Sequence, residues 1–248
     1  MRRARAGVER LTLGRGTGMT GGASPAARKT SIDELHALLK ADLADETPLR
    51  HQSIRPVHWQ VARLASAVTA NAGEVPFQHA SALRIDMPAV QHFRAEIGRF
   101  READNRVGGG RDREALLKHL IANVRRLARA HYSEQVGRAL FSAIAEGILL
   151  LGWMSFDVEP GSALTQKYFT HARQFAHRAD NRLLVVTALA AMSQQAYYAG
   201  VPAAAVQLAA TARKGTLDGD PPCIRFFDES AATPWKPILK TVSLFQPG

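Results

Sequence analysis

The chain has 248 residues, 46% hydrophobic and 22% charged, which suits a folded protein able to bury a core in one domain with appendages. Its single cysteine, Cys223, excludes an intramolecular disulfide or a cysteine-rich zinc site, and points to a reducing, cytoplasmic setting. The net charge of +10 suits an anionic partner in principle, but residues 1–29 hold seven basic residues against Glu9 alone, so the excess is concentrated in one short stretch.

Residues 1–30 are glycine-rich, basic and without apolar periodicity, and are expected to form a disordered arm. Ser31-Ile32-Asp33-Glu34 reads as a capping box opening a helix whose apolar face is Ile32, Leu35, Leu38, Leu39 and Leu43. Pro48 lies in the break that follows. A second helix is expected from Pro56, with Val57, Val61, Leu64 and Val68 on one side, ending at Asn71-Ala72-Gly73. Residues 31–85 are therefore read as a helical N-terminal extension.

From Asp86 the helical period strengthens. Val90, Phe93, Ile97 and Phe100 make one stripe, ending at Gly108-Gly109-Gly110. Leu116, Leu117, Leu120, Ile121, Val124 and Leu127 make the next. Ser133 is placed to cap a long helix carrying Val136, Leu140, Ile144, Ile148 and Leu151. Helices near 162–179, 182–199 and 202–214 follow, with joints at Pro160-Gly161, Asp180-Asn181 and Gly200-Val201-Pro202. No segment alternates like a strand. Past Gly215, prolines at 221, 222, 234 and 237 block helix propagation, so 215–248 is expected to be an irregular tail.

Two stretches repeat a pattern 40 residues apart: Thr165, Phe169 and Ala172, then Ala205, Ala209 and Ala212. Small residues at such spacing let neighbouring helices approach, and stacked pairs share a continuous core. The expected fold is all-α: antiparallel helix-pair repeats over 86–214, as in a tetratricopeptide-like α-solenoid.

The region from Met87 to Gly215 also resembles the C-terminal half of actinobacterial Cro/CI-type helix-turn-helix transcriptional regulators. The resemblance rests on Phe100-Arg101-Glu102-Ala103-Asp104-Asn105 before the triple glycine and on Leu151-Gly152-Trp153-Met154-Ser155-Phe156-Asp157. It continues through Gln166-Lys167-Tyr168-Phe169 and Leu189-Ala190-Ala191-Met192-Ser193-Gln194-Gln195-Ala196. It covers about half the chain and implies tetratricopeptide-like repeats downstream of a DNA reader. Residues 1–85 carry no segment like that reader, Trp153 stands where the repeat usually has a small residue, and the repeat's closing proline is absent. Carried over, the first helix of each pair lines a groove, which points to Leu150, Met154 and Asp157 and to Ala190, Gln194 and Tyr197.

Gly16-Thr17-Gly18-Met19-Thr20-Gly21 has dinucleotide-fingerprint spacing, but neither a strand nor a helix flanks it. His171 and His177 are six apart and fall on different helix faces, so no metal or cofactor is expected. Asp157 and Glu159 have no nucleophile beside them, and no Gly-x-Ser-x-Gly elbow exists, so catalysis is not expected. Arg94, Arg99, Arg101, Arg111, Arg125, Arg126 and Arg129 are interleaved with acids, the pattern of a salt-bridged face.

The expected function is that of a non-enzymatic sensor or interaction module of a bacterial regulator. It would bind a protein, peptide or small molecule in its helical groove, without a membrane, and is compatible with a homodimer. The alternative is direct nucleic-acid binding through the basic arm and the 94–129 arginines, non-specific if carried by the arm alone.

Overall fold

The computed structural model describes residues 25–52, 83–108 and 110–216. They form seven α-helices: α1 (Pro25–Leu43), α2 (Met87–Val107), α3 (Arg113–Ala128), α4 (Glu134–Val158), α5 (Ala163–Arg178), α6 (Arg182–Tyr198) and α7 (Pro202–Thr216). A 3-10 turn, Pro48–Arg50, follows α1. No strand occurs among the described residues, and one isolated bridge pairs Arg84 with His131. The expected second helix (56–73), most of the arm and nearly all of the tail lie outside the described residues.

Of the two caps expected, Ser133 holds and Ser31 does not, while Asp86 and Ser162 also cap their helices. Asp86 accepts from Ala89 N at 3.0 Å, Ser133 from Val136 N at 3.4 Å and Ser162 from Thr165 N at 3.2 Å. Ser31, however, lies inside α1, which begins six residues earlier at Pro25. Proline suits a first turn, where its missing N–H costs nothing, and the alanines after it extend the helix upstream of the capping-box motif.

α1 lies antiparallel on α3, burying Ile32, Leu35 and Leu39. Its early residue Asp33 meets Arg125 and Arg129 near the end of α3, and its late residue Asp42 meets Arg113 at the start of α3. The α1 segment thus shares one core with the helices beyond residue 86.

α4 is the centre, packed by α2, α3, α5 and α6. It is long and apolar enough to cross a membrane by length and composition, yet 83% of its most apolar window is buried within the protein. Two glycines make this packing possible. A Cβ on Gly147 would lie 2.9 Å from Leu120 Cδ2 and 3.1 Å from Ile97 Cδ1, so α3 and α2 press on α4 at the same point. A Cβ on Gly152 would lie 2.6 Å from the Phe169 ring of α5.

The expectation of antiparallel neighbours holds from α4 onward, where each helix packs on the next. It holds for α2 and α3 in direction, since α2 runs with α4 and α3 against it, but their backbones approach α4 more closely than each other. The reason is bulk. The His119 ring of α3 sits between Phe93 and Phe100 of α2, with centroids at 5.4 and 5.6 Å, and wedges the two helices apart.

Phe156, Phe169 and Ala172 are all buried, as the repeat pattern predicts. Trp153 fills the place where a small residue was expected and stands edge-on to both Phe156 and Phe169, at 5.5 and 5.1 Å. In the second copy Ala205 and Ala212 are buried and Ala209 is half-buried.

Candidate functional site

Between Ala139 and Phe156, every residue of α4 is buried except Ala139, Glu146 and Trp153. Those three are seven apart, close to two helical turns, so they lie on one line along the helix. Asp157 continues it. On α6 the pattern recurs: between Leu183 and Tyr197 only those two and Ala190 escape burial, again seven apart. α4 and α6 run parallel with α5 antiparallel between them, and the ring of Phe156 meets that of Tyr198 edge-on at 5.4 Å. The two half-open lines therefore lie on neighbouring helices, with α2 on the far side of α4, where Arg94 forks onto Glu146.

The groove residues expected from sequence are only partly on this surface. Asp157 and Tyr197 are exposed and Ala190 is half-buried. Leu150 and Met154 are buried in the core, and Gln194 is 1% exposed, so none of these three offers a side chain to a partner. The physical reason is that four helices enclose α4, which narrows its open line to one residue per two turns. The bulk of Trp153 takes the position that the repeat pattern would have left to its neighbours.

One end of the bundle concentrates exposed apolar surface. The C-termini of α1, α2, α4 and α6 meet there, and Leu43, Val107, Val158, Tyr197 and Tyr198 are all exposed. Asp104 and Asp157 lie at the same end. Burial raises the pKa of both carboxyls, and the negative charges of Asp157 and Asp112 push Asp104 further.

The arginines of 94–129 do not gather into one patch. Arg94 is held by Glu146 and Arg99 by Glu96, while Arg125 and Arg129 converge on Asp33 at 3.1 and 2.8 Å. Arg126 donates to Asn123 at 2.9 Å. Arg101 and Arg111 are exposed and make no ion pair among the described residues. Paired arginines of this kind are already neutralised, the salt-bridged arrangement that their interleaving with acids suggested.

The most constrained polar group escaped the sequence reading. The side chain of Asp42 is fully buried and accepts from Arg50 Nη2 at 2.5 Å on one oxygen. Its other oxygen accepts from Arg113 Nη2 at 2.5 Å and from the Tyr168 hydroxyl at 2.6 Å. Arg113 Nε also donates to Ser155 Oγ at 2.9 Å, and Arg50 reaches Asp45 at 2.7 Å. Burial and the neighbouring Asp42 charge hold the Tyr168 phenol well above its usual range. This cluster ties α1, the 3-10 turn, α3, α4 and α5 together. Its parts are scattered over 126 positions, so no local spacing announces it. Both carboxylate oxygens are engaged, so it is a fastening and not a reactive site.

Among the described residues no group of three or more His, Cys, Asp or Glu could hold a metal. His171 is pushed down to about 4 by burial, aided by Lys167, and stays neutral near pH 7. No family model, curated protein or solved structure matches the chain.

Proposed function

We propose that the chain is a non-enzymatic helical interaction module, the sensor half of a bacterial transcriptional regulator. It captures a protein or peptide along the open lines of α4 and α6, near their C-termini. Its helix pairs α4–α5 and α6–α7 act as tetratricopeptide-like units. The observation that carries this reading is the gathering of Val107, Val158, Tyr197 and Tyr198, all exposed, at the end where those lines terminate. Exposed apolar side chains placed singly need no explanation, whereas a group of them at one end of a bundle marks an interaction surface. Tyrosines suit such a role because they bring contact area and a hydroxyl at low entropic cost. Direct nucleic-acid binding is the weaker reading, since most of the arginines it would use are occupied by carboxylates or by Asn123.

The test is site-specific photocrosslinking in cells. A photoreactive residue at position 197 is expected to give discrete protein adducts. The same residue at position 167, an exposed site on α5, is expected to give none. Equal labelling at both positions, or none at 197, refutes the assignment.

A further inference from the structure

The apolar end gathers negative helix termini, although Arg106 lies in the last turn of α2 and Arg111 in the loop after it. α2 and α4 run parallel and both terminate there, so the partial negative charges of their C-termini add. Each also places a carboxylate in its last turn: Asp104 on α2 and Asp157 on α4. Among the described residues neither forms an ion pair, and Asp104 Oδ1 is buried without a hydrogen-bond donor.

The nearby cations do not answer them. Arg106 donates to Glu102 O at 3.3 Å, Arg113 is committed to Asp42 and Ser155, and Arg111 makes no ion pair. A metal is not indicated, because no group of three suitable ligands occurs among the described residues. Among the described residues no cation pairs with Asp104 or Asp157, and the apolar side chains beside them offer contact to one brought by a partner.

Resting on the interaction-module reading, we propose that this end takes an arginine-bearing segment of a partner protein. The guanidinium seats between Asp104 and Asp157, and the flanking side chains lie against Val158, Tyr197 and Tyr198. Arginine fits better than lysine. Its planar fork supplies several donors at once to two separate carboxylates, and its face stacks on tyrosine rings. Because carboxylates left unpaired in a partly buried place disfavour the free protein, neutralising them favours the complex.

The test uses the full chain and a short fluorescent peptide alternating leucine with arginine. Two analogues carry citrulline or glutamate in place of arginine. The arginine peptide is expected to bind at least about tenfold more tightly than the citrulline analogue, the scale of losing one charge-assisted contact. The glutamate peptide is expected not to bind. In Asp104→Asn/Asp157→Asn the arginine and citrulline peptides should bind alike, while Glu114→Gln, which alters an exposed carboxylate on α3, leaves the preference intact. Tyr197→Ser/Tyr198→Ser should weaken both peptides together. If citrulline binds the wild type as well as arginine does, the cation inference fails and the interaction reading stands. If no peptide binds and position 197 gives no adduct, the interaction reading fails as well. An arginine preference that survives the double asparagine variant overturns the placement. Concentration-dependent self-association that blocks the peptide assigns the face to a second copy and overturns the proposal of a separate partner.

Discussion

Replacing Asp42 by asparagine probes the fastening that joins five elements of the fold. The change keeps the shape, removes the charge and turns one of the two acceptor oxygens into a donor amide. It leaves Arg113, with a side chain 15% exposed, and Arg50, 30% exposed, without the anion they share. Breaking a buried ion pair from one side costs about 3–5 kcal/mol when the surviving charge is sealed from water. Here water reaches part of both guanidinium groups, so the expected loss is nearer 2–4 kcal/mol. Tyr168→Phe removes a single hydroxyl from the same carboxylate and should cost about 1–2 kcal/mol. Urea unfolding followed by circular dichroism reads both. With a slope of about 2–3 kcal/mol/M for a domain of this size, the Asp42→Asn midpoint should fall by about 1 M. The two substitutions should also be non-additive, because they share one oxygen. An Asp42→Asn loss no greater than that of Tyr168→Phe would refute the reasoning, since the arginines would then be adequately solvated without it.

Phe169→Ala should cost about 3–5 kcal/mol, as a fully buried ring is lost. Gly152→Ala should cost about 1–3 kcal/mol, because the new methyl meets the Phe169 ring at 2.6 Å; chemical denaturation reads both. His171 has a folded pKa of about 4 against 6.5 when free, so the unfolded chain binds the extra proton first. Stability should therefore be complete above about pH 6.5 and fall as pH drops towards 4, and His171→Asn should flatten urea midpoints across that window. Asp104 titrates in the opposite sense. Its carboxyl is raised by burial and by Asp157 and Asp112, so its charge opposes folding once pH exceeds the carboxylate range. Asp104→Asn should raise the neutral-pH melting temperature while weakening the arginine peptide, the trade expected of a surface kept for binding.

The helices were legible because their signals are local. Asp86, Ser133 and Ser162 stand where their helices start, and the stripes from Val90 to Leu151 bury, with Phe100 and Ile121 only half-buried. The start of α1 was misread because Ser31 and Glu34 form a plausible cap inside a stretch that alanine and proline already favour as helix. Departures further along come from contacts between distant residues. His119 between two phenylalanines separates α2 from α3, and nothing in the spacing of either helix records that the third ring will arrive. Enclosure of α4 by four helices likewise turned Leu150 and Met154 inward. Asp157 and Tyr197, named through the resemblance, are exposed because they sit at helix ends, where no further turn covers them. Asp42 was missed because its partners lie 8, 71 and 126 positions away.

α7 is held differently from the rest of the bundle. Among the described helices it packs closely on α6 alone, through Ala205, Leu208 and Ala212 and a bond from Ser193 Oγ to the carbonyl of Ala205 at 2.8 Å. Its small side chains contribute little apolar area per turn, and its loss would open no contact of α4 with α2, α3 or α5. Amide exchange should therefore show two tiers. The amides of α7 should exchange through local opening, whereas those at the middle of α4 should exchange only when the molecule unfolds as a whole. Detachment of α7 would uncover the side of α6 carrying Ser193 and leave Tyr197 and Tyr198 anchored through Phe156, so this last described helix can breathe without dismantling the face beside it.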